Sequence, residues 1–245
     1  MPQRSTTPAA NRAVVCQRDY AYNAPTRVPL NRAEADGVQQ RDPYQAALDK
    51  ARRELQQLDP FVVALRSGSR VLTRPSGQVI ELEYWGRDTE VTWETGEVCS
   101  PAGVPLPPAA RLIVLHYLLT ADGTPLADRW LSFRELPDGR VYDSAFRRRA
   151  SQPLARVFGQ RPAAFANAAR RLGGEALSFG DASFLFRVLP RVRVAAILYA
   201  ADDEFPAEAN VLFDASTRHY LPIEDVAVLG GLVAGELIRA SRQTQ

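Results

Sequence analysis

The chain has 245 residues, 46% of them hydrophobic and 24% charged, with a formal net charge of +2. That balance is ordinary for a soluble globular protein, and a chain of this length buries a core without disulfides or a structural metal. The small positive excess does not argue for nucleic acid, and Lys50 as the sole lysine excludes Schiff-base, P-loop and kinase-type lysine chemistry.

Cys16 and Cys99 stand far apart and no C-x-x-C pair occurs, so a four-cysteine zinc or iron–sulfur site cannot be assembled from this chain. There is no signal-peptide core and no apolar run of membrane-spanning length. The expectation is a cytoplasmic protein with reduced thiols that does not enter the membrane.

In chain order, residues 1–41 are rich in Pro, Arg, Asn, Thr and Gln without periodicity, which predicts a disordered leader carrying the pair Tyr20 and Tyr22. The remainder, 42–245, is expected to form one α+β domain. Asp42-Pro43 is a helix start, and Tyr44, Ala47, Leu48, Ala51, Leu55 and Leu58 recur at helical spacing. Asp59-Pro60 repeats the signal for a short helix over 61–66, with Gly68 as its stop. The period then changes to two. Ile80, Leu82 and Tyr84 alternate with Glu81 and Glu83, a turn follows at 86–88, and alternation resumes around Val91 and Trp93, predicting antiparallel strands.

A proline-rich connector at 104–108 leads to an apolar helix over 109–121 that carries His116 among leucines. Residues 130–133 read as a strand, and Asp138-Gly139 as a hairpin turn before Val141 and Tyr142. Residues 144–158 read as helix interrupted at Pro153. A further helix opens at Pro162 and closes at Gly173-Gly174. Short strands around Leu177 and over 184–188 precede a β-branched run through Val192, Val194, Ile197, Leu198 and Tyr199. A second apolar run, Val211 to Phe213, and a long helix after Pro222 complete the chain. Gly230, Gly231 and Gly235 in that helix predict close approach to a sheet. Hairpins interspersed with helices point to an α+β fold, a mixed or antiparallel sheet with helices packed on it. No G-x-G-x-x-G follows a strand, and no internal repeat is visible.

The candidate chemistry centres on the acids after Tyr199. Asp202, Asp203, Glu204, Glu208 and Asp214 are able to coordinate a hard cation or share a proton among crowded carboxylates. Arg187, Arg191 and Arg193 lie upstream as neutralising partners, and acids at strand ends also cap turns. His116 reads either as an axial ligand to a metal or tetrapyrrole, or as a buried, neutral, hydrogen-bonded histidine. His219, near Glu224 and Asp225, is the better acid–base candidate, with a solvated loop histidine as its plainer reading. Arg134-Glu135 is an ion pair or a substrate clamp. The arginines Arg147, Arg148, Arg149, Arg156, Arg161, Arg170 and Arg171 form a basic stripe or a solvated helix face; without interleaved aromatics they do not make a nucleic-acid platform.

Five segments together resemble a known uncharacterised family, domain of unknown function 3786. They are LHYLL at 115–119, WLSFRELPDG at 130–139, GDASFLFRVLPRV at 180–192, DDEFPAEANVLFD at 202–214 and YLPIED at 220–225. The resemblance spans about residues 42–240 and is strongest after 112. Members of that family occur in bacteria and archaea, and some adjoin a four-cysteine iron–sulfur domain. The resemblance therefore implies a setting near corrinoid or low-potential redox metabolism, with any cluster held by a corrinoid or iron–sulfur partner protein. It carries over no catalytic residues, and the cofactor is unspecified.

Three functions follow as expectations. The leading one is a binding or accessory protein holding a small molecule, metal or tetrapyrrole-like cofactor near the 202–214 loop. The second is an enzyme using the carboxylates with His219. The third is an interaction subunit using the arginine-rich helices at 144–172.

Overall fold

The computed structural model describes residues 44–242, Ser76 excepted. The leader expected at 1–41, with Cys16, Tyr20 and Tyr22, lies outside the described residues.

Helix α1 (Gln45–Leu55) buries Leu48, Ala51 and Leu55. Helix α2 (Pro60–Ser67) starts where Asp59 accepts from the amides of Phe61 and Val62, and ends at Gly68, whose φ of 70° needs no Cβ. A four-stranded antiparallel meander follows: β1 (Arg70–Arg74), β2 (Gly77–Tyr84), β3 (Arg87–Thr92) and β4 (Glu97–Cys99). Ile80, Leu82, Tyr84, Val91 and Val98 form its core face. Trp85 and Gly86, with φ of 54° and 64°, join β2 to β3 as a primed two-residue turn. Trp85 holds this costly conformation because it bridges to the other half of the fold: its amide donates to Val188 O at 2.9 Å, and its ring lies 5.6 Å from Phe186.

Helix α3 (Pro108–Thr120) buries Ile113, Val114, Leu115, Tyr117 and Leu118. It packs against α1, α2 and the final helix. The Tyr117 hydroxyl donates to Ser67 O, and accepts the Arg191 amide at 3.2 Å from the turn of the second sheet. A single phenol therefore ties α2, α3 and the second sheet together.

That second sheet is antiparallel throughout: β5 (Trp130–Ser132), β9 (Glu208–Asp214), β8 (Val192–Tyr199), β7 (Ala182–Leu189) and β6 (Glu175–Ala176), in that spatial order. Helices α4 (Gly139–Arg149), α5 (Ser151–Phe158) and α6 (Pro162–Arg171) fill the sequence between β5 and β6. Helix α5 packs on β8 and β9, and α6 on β7. Helix α7 (Ile223–Arg242) packs on α3, α4, α5 and α6. The architecture is the expected α+β one, with antiparallel sheets and one continuous core cluster.

Several local expectations are corrected. Asp138-Gly139 does not turn a hairpin; Asp138, with φ of 62°, leads into α4, and Val141 is 78% exposed on it. Glycine is required there because a Cβ on Gly139 would sit 1.9 Å from Phe133 O in the preceding turn. The break between α4 and α5 falls at Ala150, and Pro153 sits within the first turn of α5, where its missing N–H costs nothing. The glycines of α7 do not approach a sheet. Gly230 admits the ring of Phe146 from α4, which a Cβ would meet at 2.3 Å, and Gly235 faces open space. Strands β1 and β4, too short to show alternation, were not anticipated.

Replacing Tyr117 with Phe leaves Ser67 O and the Arg191 amide without their partner while keeping the ring. The expected cost is about 1–3 kcal/mol, the usual penalty for stranded buried polar groups, read as a lowered urea midpoint with an unchanged slope.

Candidate functional site

Strand β8, central in the second sheet, is buried almost end to end and delivers residues 200–207 to one end of that sheet. Asp202 caps that turn: its Oδ1 accepts the amides of Phe205 (2.7 Å) and Glu204 (2.9 Å), and its own amide donates to Phe205 O at 3.1 Å. Those two amides hold the Asp202 carboxyl below the ordinary range. Asp203 and Glu204 point outward, exposed, and enter no ion pair among the described residues. The upstream arginines do not neutralise them. Arg187 pairs with Glu175 at 3.0 Å, Arg193 pairs with Asp128 at 2.7 Å, and Arg191 lies against Tyr117.

The loop closes one side of an open recess of about 400 Å³. Ala201, Pro206 and Ala207 form that wall; Ala155, Arg156, Val157, Gly159, Gln160 and Arg161 form the other. The walls approach closely for backbone reasons. Ala201 N donates to Gly159 O at 2.9 Å. A Cβ on Gly159 would lie 2.3 Å from Ala207 Cβ, so the loop seats only against glycine. Helix α5 turns Leu154 and Phe158 into the core, which sends Arg156 outward. The Arg156 guanidinium has no hydrogen-bond or ion-pair partner among the described residues, and Arg161 donates only to Val157 O at 2.9 Å. Arg161 also occupies the N-cap position of α6 without capping it by its side chain.

The other candidate residues lie elsewhere. Asp214 ends β9, a seven-residue strand that begins with Glu208 at the loop, a span of about 20 Å. It is buried. Oδ1 accepts from Ala127 N (3.0 Å), Ser216 N (2.9 Å) and Ser216 Oγ (2.6 Å), whereas Oδ2 has no hydrogen-bond partner among the described residues. Burial raises its pKa, but the hydroxyl of Ser216 and the amides of Ser216, Ala127 and Asp128 outweigh that and leave the carboxyl below its ordinary range.

His219 closes the 3₁₀ turn after β9, at the same end as Asp214. Its Nδ1 lies 2.7 Å from Asp122 Oδ2, and its Nε2 accepts from Arg218 Nε at 3.3 Å. Both ring nitrogens are therefore engaged, one by a carboxylate and one by a guanidinium. Asp122 is held at about 2, first by the Thr124 hydroxyl and amide, and further by His219. His116, on α3, has Nδ1 at 2.5 Å from Oδ2 of the buried Asp225 on α7. Thr120 Oγ1 reaches Tyr220 O, and Tyr220 Oη donates to Thr124 O. These bonds clamp the end of α3 to the segment entering α7.

Arg134 is exposed, and its neighbour Glu135 is engaged by the amide and hydroxyl of Ser132 as a capping box, not by Arg134. The structure thus groups Asp202, Asp203 and Glu204 at one end of β9. Asp214 and His219 stand at the other end, and His116 and Arg134 in separate places. Among the described residues no three His, Cys, Asp or Glu side chains gather as metal ligands. Sequence reading counted Arg156 and Arg161 in a basic stripe but gave no sign that they face the acid loop. Gly159 reads in sequence only as the stop of the helix before it, and Gln160 carries no signal.

A family model described as Domain of unknown function (DUF3786) matches residues 59–236. The match opens at the N-cap of α2, so α1 lies outside it although its apolar face is part of the same core. No curated protein and no solved structure matches the chain.

Asp214 generates a pH-dependent prediction. Its folded-state pKa is depressed, so its contribution to stability is present above the ordinary aspartate pKa near 3.9 and is lost as pH falls through the lower folded value. Asp214→Ala should destabilise by about 1.5–3 kcal/mol at neutral pH, the range for hydrogen bonds to a charged group. Urea unfolding of both proteins from pH 7 downward should show that gap narrowing below about pH 4.

Proposed function

We propose that this chain, which belongs to the DUF3786 family, is a non-catalytic binding module whose recess between the α5–α6 junction and the β8–β9 loop takes a small molecule bearing a carboxylate or phosphate. One observation carries the reading: Arg156 and Arg161, uncommitted to any acidic side chain among the described residues, line an open recess of about 400 Å³. Ligand pockets commonly occupy about 300–1,000 Å³. Guanidinium is the side chain best suited to planar, bidentate anion recognition.

Two further features support the same polarity. The positive end of α6 opens beside Arg161 and adds backbone partial charge of the right sign. Asp203 and Glu204 stand on the loop that forms the opposite rim and direct an anionic group toward the arginine wall. The donors of the recess are two guanidiniums, one side-chain amide and backbone groups, and neither histidine lines it. That set suits an oxyanion better than a metal ion.

Amide-resolved NMR titration with succinate and, separately, with inorganic phosphate tests the reading. Shifts should concentrate on Gln160, Arg161, Ala163, Ala201 and Ala207 and be abolished in Arg156→Ala/Arg161→Ala. That double variant should keep its thermal midpoint, because both side chains are exposed. Silence toward both probes at millimolar concentration, or shifts centred on His219, would remove the proposal.

A further inference from the structure

Helix α2 presents an apolar face that nothing in the described structure covers. Phe61, Val62 and Leu65 expose 62%, 42% and 78% of their surface, and Leu58 just before the helix exposes 42%. Together they display on the order of 400 Å² of apolar area, at the scale where a patch on a monomer marks an interaction site. The opposite face is committed to the core: Val63 and Ala64 are buried, and Ser67 Oγ donates to Val63 O at 2.7 Å. The exposed residues are therefore held on a fixed element.

The charges around this face are self-complementary. Asp59 stands at the N-terminus of α2 and Arg66 two turns later, so one ridge runs Asp59, Val62, Arg66. Asp59 Oδ1 caps the helix, which leaves Oδ2 available, and Arg66 is exposed without an ion pair among the described residues. A two-fold axis crossing the helix near Val62 sets the two copies of α2 antiparallel. Asp59 of each copy then faces Arg66 of the other, and the helix dipoles oppose.

Area agrees with this arrangement. Two such faces bury on the order of 800 Å² of apolar surface. At the usual apolar fraction near 57% that corresponds to an interface of about 1,400 Å², within the standard size class.

We infer that α2 is the contact of an isologous homodimer, in which the face made by Leu58, Phe61, Val62 and Leu65 packs on the same face of a second copy. This inference is independent of the ligand recess.

Sedimentation velocity on the full chain should show a dimer forming in the micromolar range. Leu65→Glu and Arg66→Glu, both at exposed positions, should each raise the dissociation constant at least ~10-fold with an unchanged circular dichroism spectrum. Because Val62 lies near the axis, Val62→Cys in a Cys16→Ser/Cys99→Ser background should give a disulfide-linked dimer on mild oxidation, and Arg53→Cys should not. A chain that stays monomeric up to about 100 µM overturns the inference. So does a dimer whose affinity Leu65→Glu leaves unchanged.

Discussion

The hydroxyl of Tyr117 is where the two halves of this protein meet. It donates to the end of α2 and accepts from the turn between β7 and β8, deep beneath the surface. Burial pushes the phenol's pKa up, so it stays protonated and can fill both roles at once. Everything assigned to the second sheet inherits its placement from that junction and from the parallel bridge made by Trp85 to Val188. Both ties are polar groups satisfied across an apolar core. Such contacts fix one arrangement of the halves more sharply than contact area does, since a slipped register would strand a donor or an acceptor.

On that frame the second sheet has two chemically different ends. At one, β8 releases an acid-tipped loop against an arginine wall, with charges on both sides that have no ion-pair partner among the described residues. At the other, His219 is engaged by Asp122 and Arg218, and Asp214 is buried with three donors on one oxygen and none on the second among the described residues. This difference, more than residue type, separates the recess from the histidine-bearing end.

Much of the fold was legible in the sequence. The Asp59-Pro60 start, the period-two alternation of Ile80, Leu82 and Tyr84 and the buried run of β8 are local signals, set by capping, pleat and burial, and each lies within a dozen residues; the start read at Asp42-Pro43 lies outside the described residues. Failures came where contacts between elements overrule the residue pattern. Asp138-Gly139 resembles a hairpin turn, but Phe133 O occupies the space that makes glycine necessary there. The same limit governs the site. The acid loop could be found because its residues are consecutive. Its facing wall comes from a stretch some forty residues earlier, and the histidines meet Asp122 and Asp225 across separations of 97 and 109 residues.

The meeting of Gly159 with Ala201 and Ala207 separates the shape of the recess from its charge. The base of the recess is main chain, closed by an amide–carbonyl bond and by the lack of a Cβ, whereas its chemical character resides in Arg156, Gln160 and Arg161, all exposed. Substitution at any of those three exposed positions changes the chemical character of the recess without reshaping the scaffold, whereas substitution at Gly159 would disturb both together.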